Sequence, residues 1–160
     1  MAFGFLKPHY LHARVQRLKA LALFSTLTPR ELKIVDSLLH IRQFLAGEII
    51  FDEGEEGQAL YIILSGAVSI SRMRDSVNET VAELSSGSFF GHLALLDNAP
   101  RSAQVRAKEA CELAVFFRAD FVALMETDAT IGYKISLQLA RNVAQILRGV
   151  MLGEPRIEAL

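Results

Sequence analysis

The sequence has only one cysteine, Cys111, and no surplus of charge of either sign. A single thiol cannot form an internal disulfide, so a reducing cytoplasm is compatible with the chain. The 17 basic and 18 acidic residues give a net charge of −1. A chain without a basic surplus gives no sign of binding nucleic acid or an anionic membrane surface. We expect Cys111 to be a small core residue of a strand, not a reactive thiol.

Long hydrophobic runs are also absent. The longest, such as residues 60–64, are far too short to span a bilayer. Charged side chains, among them Lys7, Arg14 and Lys19, interrupt the first 23 residues, unlike a secretory signal. The length fits a single domain with a sizeable core. We therefore expect a cytoplasmic protein without membrane insertion.

Patterns typical of catalysis and metal binding are missing. The histidines are scattered along the chain and form no His-x-His pair on a strand: His9, His12, His40 and His92. The acidic residues between positions 52 and 56 lack the alternating ligands and distal glutamate of a calcium loop. No serine or cysteine has a local histidine partner. We predict that the chain is not an enzyme and requires no metal or cofactor.

The first part of the chain, residues 1–40, has the pattern of an N-terminal helical segment. One helical face carries Leu11, Val15, Leu18 and Ala22, which predicts a first helix. A second helix is predicted to begin after Thr28, with Pro29 in the first turn and Glu31 completing a capping box. It should run to about Leu39.

From residue 41 to residue 117 the hydrophobic period is two, which is typical of β-strands. Short apolar stretches are separated by turn signals and predict strands at 41–45, 48–52, 60–64, 67–73, 80–84, 103–105 and 112–117. Many short strands with regular turns indicate a sandwich or barrel. The predicted fold is therefore mainly β with flanking helices, a jelly-roll-like β-roll.

Residues 118–152 are predicted to form a short helix over 119–125 and a long helix that begins after Asp128 and ends near Met151. The long helix carries two adjacent apolar stripes: Ile131, Ile135, Leu139, Val143, Ile146 and Val150, and Tyr133, Leu137, Ala140, Ala144, Leu147 and Met151. One stripe should pack on the β-roll. The other predicts a homodimer through this helix; the alternative is that the N-terminal helix covers it.

Residues 89–103 carry the chemistry that points to a ligand. Gly91 permits close approach to the main chain, and residues 93–96 are predicted to form a helical turn with free N–H groups. Arg101, preceded by Pro100, offers a planar fork for phosphate oxygens. Ser102 adds a hydroxyl donor, and Ala103 leaves its N–H accessible. In the alternative interpretation, Gly91 only permits a turn, and Arg101 forms an ion pair with Asp97 on the surface.

This passage resembles the phosphate-binding cassette of the cyclic nucleotide-binding domain family, found in catabolite-activator-type regulators and in the regulatory subunit of cyclic-AMP-dependent protein kinase. Residues 47–66 resemble the opening of that family's β-roll, so the resemblance covers roughly residues 23–147. It implies a regulatory module that binds a nucleotide of the cyclic AMP or cyclic GMP type and transmits binding through its C-terminal helix. A separate effector protein is also implied. The implied ligand-binding residues are Gly91, His92, Leu93, Ala94, Arg101, Ser102 and Ala103.

The sequence departs from the family pattern at His92, where the family has a glutamate that accepts a hydrogen bond from the ribose 2′-hydroxyl. A neutral imidazole still offers one acceptor nitrogen, and a protonated one would make the site more cationic. Loss of a hydrogen bond to a charged group weakens binding by roughly ten- to a hundred-fold. The alternative is a silent pocket in a protein-interaction or dimerisation module. Residues 152–160 are too few for a helix-turn-helix, so we expect no DNA binding.

Overall fold

The computed structural model describes residues 8–153, with side chains from residue 12 onward. Helix α1 spans Pro8–Ala20 and is followed by a 3₁₀ turn, Ala22–Phe24. The prediction of one helix through Ala22 is therefore wrong, because Leu21 takes extended backbone angles (φ −75°, ψ 135°) and ends the helix. Leu11 of the predicted apolar face has a side chain outside the described residues.

Helix α2 spans Pro29–Ser37, and its predicted capping box is confirmed. The backbone N–H of Thr28 donates to the Glu31 carboxylate at 2.8 Å, and the Glu31 N–H donates to the Thr28 hydroxyl at 3.3 Å. Helices α1 and α2 are joined by a buried ion pair in which Arg14 donates through two nitrogens to the carboxylate of Asp36. This pair holds the two helices together.

The described residues form eight strands in two antiparallel sheets, which confirms the predicted β-roll. The strands are β1 (His40–Phe44), β2 (Ile49–Phe51), β3 (Ala59–Ser65), β4 (Ala67–Arg74), β5 (Val77–Ser85), β6 (Phe89–Phe90), β7 (Gln104–Ala107) and β8 (Cys111–Phe117). Their order is β1-β8-β3-β6 in one sheet and β2-β7-β4-β5 in the other. The two-residue strand β6 was not predicted, and it leads directly into the ligand motif.

The first sheet separates two hydrophobic cores. On one face, Leu60, Ile62 and Phe116 pack against the helices, in what we call the helical core. On the other face, Ile63 and Leu113 point between the two sheets, together with Phe51, Val68, Ile70, Phe90 and Val105, in what we call the roll interior. Alternation along each strand thus assigns neighbouring side chains to opposite cores.

Cys111 begins β8 on the roll-interior side and is buried, as expected for a core thiol. Its Sγ lies 3.1 Å from the carbonyl oxygen of Ala67. Burial raises the pKa of this thiol, which disfavours the reactive thiolate.

Two helices follow the sheets: α3 (Arg118–Thr127) and α4 (Ala129–Met151). The Asp128 carboxylate accepts the N–H of Ile131 at 3.2 Å, the predicted cap of the long helix. In the first half of α4, Ile131, Ile135 and Leu139 are fully buried in the helical core. In its last turns Leu147, Val150 and Met151 are exposed. Between residues 8 and 153 no helix has both the length and the apolar character needed to cross a bilayer.

Candidate functional site

The site is built around Gly91, which links β6 to a 3₁₀ turn, His92–Leu95. Gly91 has φ +72°, a left-handed conformation that favours glycine. A Cβ at this position would lie 2.7 Å from Nη1 of Arg101 and 3.2 Å from the carbonyl oxygen of Ala59. The absent side chain therefore makes the space in which the guanidinium of Arg101 lies.

Arg101 is turned inward and is only 9% exposed. Its Nη1 donates to the carbonyl oxygen of Gly91 at 3.1 Å, and its Nη2 donates to that of Ala59 at 2.8 Å. The guanidinium carbon lies 4.0 Å from the ring centroid of Phe51, a cation–π contact. Tyr61 lies 5.7 Å away and stacks on Phe90. Phe51 and Tyr61 therefore support the guanidinium, and Phe90 packs against both of these rings.

The guanidinium makes no ion pair with any carboxylate in the described part of the chain. Its Nε is buried and has no hydrogen-bond partner. Burial lowers the pKa of Arg101, an effect that Tyr61 and the negative charge of Glu55 oppose. Arg101 does not form the alternative surface pair with Asp97, whose carboxylate accepts the N–H of Ala99 instead. Arg101 is thus a buried cation whose charge is not matched by a contacting anion.

Backbone hydrogen bonds fix Arg101 to the turn after β2. The N–H of Arg101 donates to the carbonyl oxygen of Glu55 at 2.7 Å, and the N–H of Gly54 donates to that of Arg101 at 2.8 Å. Pro100 and Glu56 form an antiparallel bridge beside them. These contacts hold the backbone of the motif in place, so the position of the guanidinium depends mainly on the side-chain rotamer.

A cavity of about 130 Å³ opens beside Arg101. It is lined by Phe51, Gly91, Leu93, Ala94, Asp97, Ala99, Pro100, Arg101, Ser102 and Ala103. Gly57 lies against the same wall, because a Cβ on it would come within 3.0 Å of Ala94 Cβ and 3.5 Å of Arg101 Nε. The structure therefore brings six of the seven sequence-predicted residues to one cavity. Their part in binding a ligand stays a prediction.

His92 is the seventh predicted residue and lies outside this cavity, so its part in binding a ligand also stays a prediction. Its side chain is fully buried and is not part of the cavity wall. The ring packs edge-on against Phe89, at 5.3 Å between centroids, on the side of the helical core. Burial lowers its pKa to about 4, an effect that Asn142 of α4 partly opposes. The imidazole is therefore neutral at neutral pH and adds no positive charge to the cavity.

Sequence reasoning missed the residues that hold Arg101: Ala59, Phe51 and Tyr61. They lie about forty to fifty positions before Arg101 and have the ordinary pattern of strand residues, so no local signal marks them. Among the described residues, no three histidine, cysteine or acidic side chains come together as metal ligands. The chemistry that the cavity offers is thus recognition of an anion by a buried arginine.

Comparisons with known proteins point to one family. The family model described as "Cyclic nucleotide-binding domain" matches residues 41–128. The chain is 36% identical over 129 residues to the cyclic AMP receptor protein of Thermus thermophilus, a match that covers 80% of this chain and 60% of that protein. It is 37% identical over 90 residues to a cAMP-dependent protein kinase regulatory subunit of Mycosarcoma maydis, covering 56% of this chain and 17% of the subunit.

Solved structures give the same result. The catabolite activator protein of Thermus thermophilus superimposes with a TM-score of 0.71 at 34% identity, covering 82% of this chain and 62% of that one. The regulatory domain of Toxoplasma gondii PKA with cAMP superimposes with a TM-score of 0.70 at 31% identity, covering 74% and 45%. In each of these matches the chain spans less than two thirds of the relative's length.

Proposed function

The chain belongs to the cyclic nucleotide-binding domain family, and from this premise we propose that it is a regulatory module whose cavity binds a nucleotide of the cyclic AMP or cyclic GMP type. The observation that supports this most is Arg101, a buried cation without a contacting carboxylate at the wall of a cavity. Burying an unmatched charge is unfavourable. A ligand phosphate would supply the missing negative charge.

Arg101 can engage a phosphate without leaving its present environment entirely. A guanidinium has five N–H donors, and the contacts to the carbonyl oxygens of Gly91 and Ala59 leave Nε without a partner. Ser102 is exposed at the cavity wall and offers a hydroxyl donor beside them. Charge-assisted hydrogen bonds from such a fork are about twice as strong as neutral ones.

The size of the cavity indicates how much of a nucleotide it can hold. Sites that enclose a whole small molecule typically measure roughly 300–1,000 Å³, and this cavity is about 130 Å³. We therefore infer that it receives the phosphate and part of the ribose, with the base lying across its mouth. Since His92 is turned away from the wall, a ribose hydroxyl would find no acceptor at that position, which favours weaker binding than a carboxylate would give.

We further propose that binding is transmitted through α4. Leu95, at the end of the 3₁₀ turn, lies in the same helical core as Ile135 and Leu139 of that helix. A shift of the turn caused by a ligand would change the packing of α4. The receiver would be a separate effector protein in the cytoplasm, and the chain itself would carry no catalytic activity.

The exposed end of α4 supports a homodimer. Leu147, Val150 and Met151 are each more than half exposed on the last turns of the helix, together with Leu152 after it. The same helix of a second copy would cover them. Sedimentation at tens of micromolar, a concentration at which even modest interfaces associate, should give a dimer for wild type and a monomer for Leu147→Glu/Met151→Glu. Gln145→Glu adds charge to the polar face of the same helix and should stay dimeric, and a monomeric wild type would exclude this partner.

Titration calorimetry with cyclic AMP, cyclic GMP and cyclic di-GMP tests the main proposal. Arg101→Ala should lower the affinity for the preferred cyclic mononucleotide by at least about ten-fold, since it removes a charge-assisted contact. Arg106→Ala is the matched control, because Arg106 also donates to a backbone carbonyl, that of Gly47, but does not line the cavity. No binding by the folded wild type would favour the interaction-only alternative. Equal affinities of the Arg101→Ala variant and wild type would refute the assignment of Arg101.

A further inference from the structure

Three unpartnered polar atoms lie between the 3₁₀ turn and α4. Both ring nitrogens of His92 and Oδ1 of Asn142 are buried without a hydrogen bond of regular geometry. In the described part of the chain only one other buried side-chain nitrogen or oxygen lacks a partner, Nε of Arg101. Buried polar groups in native proteins are nearly always bonded, so a cluster of exceptions calls for a specific reason.

The two side chains are chemically suited to each other. Burial keeps the His92 imidazole neutral, so it has one N–H donor and one acceptor nitrogen. The Asn142 amide also has a donor group and an acceptor, and its hydrogen-bond interaction with the ring partly opposes the lowering of the His92 pKa, although the geometry is not that of a regular hydrogen bond. Asn142 borders a surface groove between α1, the turn after β5, and α4, with Ala20, Ser88 and Phe89 on its walls. A shift of the 3₁₀ turn relative to α4 would change the geometry between donor and acceptor.

His92 is also connected to the cavity through the residue before it. The carbonyl oxygen of Gly91 accepts from Nη1 of Arg101 at 3.1 Å. A phosphate oxygen that engages the guanidinium would compete with this carbonyl for the same N–H groups. When that contact weakens, the peptide between Gly91 and His92 is released from one of its restraints. A continuous series of contacts thus runs from the cavity through Arg101, Gly91 and His92 to Asn142 on α4.

We propose that His92 and Asn142 are positioning residues that couple the cavity to α4, through a hydrogen bond that lacks regular geometry in this structure and tightens when a phosphate engages Arg101. The inference rests on the proposed function, because it assumes that the cavity takes a cyclic nucleotide. It adds the identity of the contact through which the 3₁₀ turn acts on the helix. It also gives His92, the position at which the sequence departs from the family pattern, a role outside the cavity.

A double-mutant cycle read out with cyclic AMP tests the pair. Asn142→Leu and His92→Phe each replace a polar side chain by an apolar one of similar shape and so remove the hydrogen bond. Each should weaken cyclic AMP binding by about three- to ten-fold, the range of a neutral hydrogen bond. The double variant should be no weaker than either single variant, because the same contact is lost only once. His92→Gln keeps a donor and an acceptor and should restore most of the affinity.

Hydrogen exchange of α4 supplies the second readout. Binding of cyclic AMP should slow exchange around Asn142 in wild type and in His92→Gln, and should leave it unchanged in Asn142→Leu. Gln145→Leu is the matched control, since Gln145 borders the same groove one turn further along α4 and is not part of the series of contacts from the cavity to Asn142. It should bind and exchange as wild type does. If His92→Phe fails to fold, Asn142→Leu and His92→Gln still give the comparison.

The possible outcomes separate the inference from the proposed function. Wild-type affinity and wild-type protection of α4 in Asn142→Leu, with Arg101→Ala impaired, would overturn the coupling and leave nucleotide binding intact. Additive losses in the double variant would also overturn it, because the two residues would then act independently. Failure of folded wild type to bind any cyclic nucleotide would overturn both. Non-additive losses with rescue by His92→Gln would support the pair.

Discussion

Gly91→Ala probes the arrangement of the site most directly, because it acts on Arg101 without removing it. At φ +72° a residue with a Cβ is strained, by about 1–2 kcal/mol in the left-handed region. The new methyl group would also lie 2.7 Å from Nη1 of Arg101, well inside van der Waals contact, and 3.2 Å from the carbonyl oxygen of Ala59. The backbone oxygen can move little, so the guanidinium must leave its position.

The expected magnitudes follow from these two effects. Loss of the guanidinium contacts to the carbonyl oxygens of Gly91 and Ala59 removes hydrogen bonds of a charged donor, each contributing about 1.5–3 kcal/mol. Part of this is recovered when the displaced guanidinium reaches water. We expect the free energy of unfolding to fall by about 2–4 kcal/mol in total. Cyclic nucleotide affinity should fall by at least about ten-fold, because the fork no longer faces the phosphate.

Gly87→Ala is the matched control for the backbone strain that a Cβ causes at positive φ. Gly87 has φ +90° and no atom within 4 Å of an added Cβ, so it carries the left-handed strain alone. Urea denaturation gives the free energies of unfolding, and titration calorimetry gives the affinities. Gly87→Ala should lose about 1–2 kcal/mol of stability and keep its affinity. Equal losses of stability in the two variants, with wild-type affinity in Gly91→Ala, would refute the reasoning about Arg101.

Two further predictions concern buried ionisable groups. Burial lowers the pKa of His92 from its ordinary value of 6.5 to about 4 in the folded chain. Between pH 4 and pH 6.5 the unfolded chain therefore binds more protons than the folded chain. The free energy of unfolding should fall as pH drops through this range, by up to about 1.4 kcal/mol per pH unit. Urea denaturation at several pH values should give a smaller slope for His92→Phe than for wild type. Asp36→Ala should cost about 3–5 kcal/mol, since it removes the carboxylate that two nitrogens of buried Arg14 contact. The joint variant Arg14→Met/Asp36→Leu should cost much less in the same assay, and equal costs would contradict the ion-pair argument.

Local signals explain why much of the fold could be predicted. The capping box at Thr28 and Glu31 and the cap at Asp128 depend on residues three positions apart, so the sequence displays them directly. Strands were predicted from alternation, which the two cores on either side of the first sheet require. The end of α1 could not be predicted, because Leu18 and Ala22 have the spacing of one helical face and the pattern therefore continues past the break at Leu21.

The candidate site was predictable only in part, for a physical reason. Gly91 and Arg101 carry chemistry that is visible in the sequence, and both line the cavity. The aromatic support for Arg101 comes from Phe51 and Tyr61, which the chain brings together only by folding. The orientation of His92 depends on the left-handed turn at Gly91, after which the side chain enters the helical core. Spacing in a motif fixes the position of a residue along the chain and leaves its direction open.

The unpartnered buried atoms of the described residues lie on both sides of Gly91. Nε of Arg101 is on the cavity side, and the ring nitrogens of His92 with Oδ1 of Asn142 are on the side of α4. Each such group costs about 1–3 kcal/mol relative to a bonded one. An arrangement in which an anion bonds Arg101 and the imidazole bonds the amide would remove both sets of costs. Because one glycine carbonyl joins the two sides, ligand affinity and the order of α4 should change together in variants of either side.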